Sequence, residues 1–141
     1  MRRALLDELL DSEIGIVRES LGESSSVRVW REETDVFIAF DADRTGTAGL
    51  FRFTCASFDT EPPSVSMLDP VTREELPIER WTPGVAHSIH PGTNKPFICL
   101  QGVAEYHTHP SHTDDTWDRY RFRFRIPQTA SRLLDKAGVK P

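Results

Sequence analysis

Along residues 1–22, apolar side chains recur at Leu6, Leu10, Ile14, Val17 and Leu21. This is the three-and-four spacing of one helix face, and it predicts a long amphipathic N-terminal helix. Gly22 marks its stop, because glycine readily takes the left-handed conformation past a helix end, and Glu23 to Ser26 read as a short linker. The period then changes. Residues 27–31, 36–42 and 50–58 are rich in β-branched and aromatic side chains and predict strands, with the polar, glycine-containing stretch 43–49 turning the chain between antiparallel neighbours. In the third of these, Phe51, Phe53 and Cys55 share the face assigned to the core, while Arg52 and Thr54 share the other. Cys55 is read there as a small buried core residue.

Glu61-Pro62-Pro63 breaks the strand pattern, and residues 64–68 predict a fourth, peripheral strand. Residues 69–95 are proline-rich and irregular, yet Leu76, Ile78, Trp81, Val85 and Ile89 give them apolar groups to bury, so they predict a long loop packed on the sheet. Further on, 114–118 read as a helical turn. Residues 120–126 alternate strictly, which predicts a strand with aromatics inward and arginines outward, either as a solvated face or as an anion or partner site. After Pro127 a short final helix is anchored by Leu133 and Leu134. The pattern gives an α+β chain, read as a single domain over 1–141: an N-terminal helix, a four-stranded antiparallel meander, a long packed loop and a short C-terminal helix.

The net charge of -5 and pI near 5.5 argue against a general nucleic-acid binder, which needs a surplus of Lys and Arg on one surface. No apolar run approaches the ~20 residues that cross a bilayer, and the first residues turn acidic too early for a signal peptide. These features predict a cytoplasmic protein without a membrane partner, in which Cys55 and Cys99 both stay reduced. That leaves Cys99 free for chemistry.

The densest chemistry lies between Cys99 and His109, where a thiol, a carboxylate and two imidazoles occur as Cys99, Glu105, His107 and His109. If the chain is extended, residues of like parity share a face, so Glu105, His107 and His109 form a row and a bend at Gly102 folds Cys99 back onto it. Thiolate, imidazole and carboxylate are the donors that suit zinc. All four can close a structural site. Alternatively Cys99, His107 and His109 hold the ion while Glu105 stands behind them or acts as a base, leaving a position for water. The bland reading makes the histidines surface hydrogen-bonding groups and Cys99 a buried residue. His87, His90 and His112 read as loop or capping histidines, with His112 the first substitute should Glu105 not be a ligand; Asp114 and Asp115 suit the start of the following helical turn.

Gly49-Leu50-Phe51-Arg52-Phe53, Glu61-Pro62-Pro63-Ser64-Val65, His90-Pro91 and Ile98-Cys99-Leu100 stand in an order that resembles the landmarks of ubiquitin-conjugating enzymes, in which a cysteine like Cys99 carries a thioester. A closer resemblance is to the bacterial predicted metal-binding CEHH family of the UBC-like superfold, on Cys99, Glu105, His107 and His109, with Trp117 and Tyr120 in the segment that follows. This resemblance implies a UBC-like fold, a bound metal on those four residues, and work with a ubiquitin-like protein or its activating enzyme. In place of the asparagine that directly follows His-Pro in conjugating enzymes, this chain has Gly92, with Asn94 two residues later. Metal ligand and thioester nucleophile are competing uses of one thiol. A third reading, His107-Thr108-His109-Pro110 as the motif of a JAB-type metallopeptidase, lacks that family's upstream glutamate in register.

Overall fold

A computed structural model describes residues 2–21, 26–86 and 88–140; the predicted stop at Gly22, most of the serine linker and His87 lie outside the described residues. Helix α1 (Arg3–Leu21) buries Leu6, Leu10, Ile14 and Val17, the face its periodicity assigns. Strands β1 (Val27–Glu32), β2 (Asp35–Phe40), β3 (Gly49–Thr54) and β4 (Ser64–Leu68) form one antiparallel sheet in sequential order. Ile38 lies opposite Phe51 and Val36 opposite Phe53 in the β2–β3 register.

Phe51, Phe53 and Cys55 are fully buried on the inner face, with α1 and the C-terminal helix α3 (Ile126–Ala137) in the same core. Each of those phenylalanines contributes on the order of 1.5–3 kcal/mol by its burial. The third strand is shorter than its composition suggests. It ends at Thr54 because the chain turns at Cys55, whose carbonyl accepts from the Phe58 N–H at 3.1 Å. On the other face of the sheet, Phe37, Ala39, Leu50 and Leu68 form a second apolar cluster with Trp30 against it, and the Arg73 guanidinium sits 4.4 Å from the Phe37 ring centroid.

The irregular stretch after β4 packs as expected through Leu76, Trp81 and Val85, whereas Ile89 is exposed. Trp81 Nε1 donates to the Leu76 carbonyl at 3.0 Å, and Thr82 Oγ1 donates to Asp43 at 2.7 Å, which ties this loop to the β2–β3 turn. A small hairpin, β5 (Ser88–Ile89) with β6 (Pro96–Phe97), delivers the chain to Cys99. His90 organises its turn: Nδ1 accepts from the N–H groups of Gly92 (2.9 Å) and Thr93 (3.2 Å), so Nε2 carries the proton and donates to Thr108 Oγ1 at 3.2 Å.

The strand predicted over 120–126 is not formed. A 3-10 turn at Trp117–Arg119 runs into further turns, in which the N–H groups of Arg121 and Phe124 donate to the carbonyls of Trp117 and Tyr120. Long-range ion pairing decides this. Arg121 and Arg125 both donate to the Asp59 carboxylate (3.2 and 2.9 Å), and Arg125 Nε also donates to Glu13 of α1 at 2.9 Å. In a strand those two arginines would stand ~13 Å apart, whereas the turns bring them side by side onto one carboxylate. Glu13 is only 4% exposed, so removing its cation leaves a buried charge unpaired. Arg125→Met should therefore lower the unfolding free energy by about 3–5 kcal/mol in urea titrations; a loss below ~1 kcal/mol would show the network to be dispensable.

Candidate functional site

Residues Ala104–His107 form a helical turn, α2, rather than the expected strand. Ala104 and Glu105 are good helix formers, and Val103 and Tyr106 place buried side chains at helical spacing on one side. Residues two apart on a helix are rotated by roughly 200° rather than aligned, so Glu105 and His107 point to different surroundings.

Glu105 faces β4. Its carboxylate accepts from Ser64 Oγ at 2.9 Å and from the Val65 N–H at 3.2 Å, beside a cavity of about 260 Å³ that Arg52 and Lys95 also line. Burial pushes its pKa up, opposed by those hydrogen bonds and by Lys95. The residue joins α2 to the sheet.

His107 closes the bend at Gly102. Its Nε2 accepts from the Gly102 N–H at 2.9 Å, and its Nδ1–H donates to the Asp115 carbonyl at 2.8 Å, so both ring nitrogens are committed. Gly102 does bend the chain, with φ of 96°, and a Cβ there would stand 2.9 Å from Thr129 Oγ1 and 3.0 Å from the Phe124 carbonyl oxygen. Burial lowers the His107 pKa, outweighing the opposing pull of Asp115. A histidine whose folded pKa is depressed favours the folded state fully above its unfolded value, about 6.5, and loses that advantage as pH falls below it. Urea titrations of the wild-type chain and His107→Gln should thus converge in stability as pH drops from 7.5 to 5. Equal slopes for the two proteins would contradict this neutral, doubly bonded ring.

His109 caps the next 3-10 turn, Pro110–His112, its Nδ1 accepting from the Ser111 N–H at 3.1 Å. Its ring stacks on Phe97 with centroids 5.3 Å apart and stands 5.5 Å from the ring of His112. The partner that Cys99 does meet is His112: Sγ and Nε2 lie 3.5 Å apart. Burial raises the pKa of the Cys99 thiol, and Lys136 opposes the rise.

His112 is held from behind. Tyr106 stacks on it with centroids 4.1 Å apart and 18° between planes. The Tyr106 hydroxyl donates to one oxygen of Asp115 and the Tyr120 hydroxyl donates to the other at 2.9 Å. Burial and this carboxylate push the Tyr106 pKa up to about 12, so the phenol stays protonated and the clamp holds through neutral pH. A ring fixed by stacking on an anchored phenol presents one nitrogen to the thiol at little entropic cost.

The donor set can be tested against a zinc ion on this geometry. Zn–S and Zn–N lengths of about 2.3 and 2.0–2.1 Å at a tetrahedral angle put sulfur and nitrogen roughly 3.5 Å apart. The Cys99–His112 pair matches that edge. Glu105 and His107 do not fit: one carboxylate is spent on β4, and both nitrogens of the imidazole are spent on backbone groups. Among the described residues, no group of three or more Cys, His, Asp or Glu side chains already stands where it could hold an ion. The row Glu105–His107–His109 is therefore not brought together with Cys99.

Tyr106, Asp115 and Tyr120 had no part in the expected site. The helical pairing of Val103 with Tyr106 was the signal that α2 is a turn of helix and that the tyrosine faces inward.

The profile of a family described as Y4jH-like (Y4jH family) matches residues 85–136. That span is under half the chain and runs from the β5–β6 hairpin through Cys99 and His112 into α3. No curated protein matches the chain. Among the described residues, no helix is long and apolar enough to cross a membrane. The chain is thus similar to the Y4jH family over the part that carries the thiol–imidazole pair.

Proposed function

We propose that this protein is a metal-binding, UBC-like protein of a bacterial ubiquitin-like conjugation pathway, with a zinc-type ion held through Cys99 and His112. The 3.5 Å separation of Sγ and Nε2 carries the reading, since it is the edge that two ligands of one tetrahedral ion share. His112 takes the place first given to Glu105 and His107. His109, whose ring neighbours that of His112, is the candidate for a further donor. The order of elements supports the UBC-like part: a helix, a four-stranded meander, a His-Pro turn at His90 and then Cys99 before a C-terminal helix. A ubiquitin-like protein or its activating enzyme is the partner that the resemblance implies. When bound, zinc supplies either a cross-link between the Cys99 segment and the turn at His112, or a Lewis acid if one position stays open. The chain's own contribution is the fixed ring of His112 and the partly buried thiol.

A second reading rests on the same pair. Cys99 as a thioester-forming nucleophile would use His112 within reach as its proton acceptor, and the commitment of Glu105 and His107 elsewhere favours it. Cobalt(II) titration separates the two. A thiolate-to-cobalt charge-transfer absorption in the wild-type chain, kept in Glu105→Gln and absent in Cys99→Ala, supports the metal site. No such band, together with a reductant-released adduct of Cys99 with an activated ubiquitin-like protein, supports the nucleophile.

A further inference from the structure

The arginine–aromatic alternation of residues 119–125 is not consumed by a strand, and it leaves an unusual surface. Phe122 is 80% exposed. The guanidinium of Arg121 stands 5.3 Å from its ring centroid, that of Arg123 5.6 Å from Phe124, and that of Arg132 4.3 Å over the same Phe124 ring. Arg132 also donates to the carbonyl of Gln101, two residues beyond Cys99. Contacts thus join Phe124 through Arg132 to the Cys99 segment, and Phe122 stands two residues away along the chain.

The cations along it are unequal. Arg121 and Arg125 are bound to Asp59, and Arg119 lies 3.7 Å from Asp115. Arg123, Arg132 and Lys136 have no ion pair among the described residues. On a chain of net charge -5, these three make a local positive strip beside exposed aromatic surface. Arginine and aromatic side chains are the groups that dominate protein interfaces, and a phenylalanine ring as exposed as Phe122 is the kind of anchor that a partner's pocket takes.

We infer that the strip formed by Phe122, Arg123, Phe124, Arg132 and Lys136 is a docking surface for an acidic polypeptide segment that carries apolar side chains, and that it leads such a segment toward Cys99. Charge complementarity selects the partner. A nucleic acid would require neutralising many phosphates, and too few cations here are free of carboxylates to do so against the net negative field of the chain.

The test is fluorescence anisotropy with a short labelled peptide of alternating Glu and Leu, and with an oligothymidylate of the same length. It is run with zinc and with a chelator, so that its outcome is separate from that of the metal reading. The peptide should bind the full-length chain in both conditions and weaken with salt, and Arg123→Glu and Phe122→Ser should each weaken it by roughly tenfold or more. Both residues are exposed, so the unfolding midpoints of the variants should match wild type, which excludes misfolding as the cause. Failure of the peptide to bind, binding unaffected by either substitution, or tighter binding of the oligothymidylate would each overturn the inference.

Discussion

Gly102→Ala should cost about 2–6 kcal/mol of unfolding free energy and should release His107 from its bend. The residue sits at φ of 96°, where an L side chain is strained, and its Cβ would meet Thr129 Oγ1 and Phe124 at 2.9–3.0 Å. Backbone strain of about 1–3 kcal/mol and overpacking of about 1–3 kcal/mol both act at one point. The neighbours cannot yield cheaply, because one of them is the Phe124 carbonyl and the other is the fully buried Thr129 of α3. Gly15→Ala is the control. Its Cβ would meet nothing within 4 Å in the middle of α1, so that substitution should stabilise by ~0.5–1 kcal/mol. Urea unfolding of the two variants should move the midpoint in opposite directions. A Gly102→Ala protein as stable as wild type would show that the close approach of Gly102 to Thr129 and Phe124 yields at no cost.

The second large effect concerns zinc. A ligand that binds the folded chain alone stabilises it by about 2.7 kcal/mol at a hundredfold excess over its dissociation constant. Wild type should therefore melt higher with added zinc and return on chelation, while Cys99→Ala and His112→Ala should not respond. Glu105→Gln should behave oppositely to both. It should start less stable, because Glu105 links α2 to Ser64 and Val65 of β4, yet gain as much from zinc as wild type. A Glu105→Gln protein that loses the zinc response would restore the carboxylate to the ligand set and count against the Cys99–His112 site.

What the sequence made legible divides by the range of the interactions involved. The face of α1 and the core face of β3 follow from local periodicity, and Leu6, Leu10, Ile14, Val17, Phe51, Phe53 and Cys55 are all buried accordingly. The aromatic–arginine alternation at 120–126 has the same period-two form, yet Asp59, more than sixty residues upstream, draws Arg121 and Arg125 to one carboxylate and keeps the segment in turns. Nothing in the local pattern carries that information. The side chains from Cys99 to His109 are arranged differently from an extended row for a related reason. Parity groups side chains only if the chain is extended, and Ala104-Glu105-Tyr106-His107 coil into a helical turn that sends the carboxylate to β4 and the imidazole to Gly102. His112, the first substitute among the loop histidines, is the residue that meets Cys99. The clamp behind it, Tyr106 on Asp115, required the turn of α2 to become visible.

The most direct test of the account is the metal content of the purified chain. Native mass spectrometry of wild type and His112→Ala, expressed without added metal, reads it in one step. The wild type should carry about one zinc per chain and the variant none. A wild-type chain that is folded and carries no transition metal, or a His112→Ala chain that keeps its zinc, would contradict it.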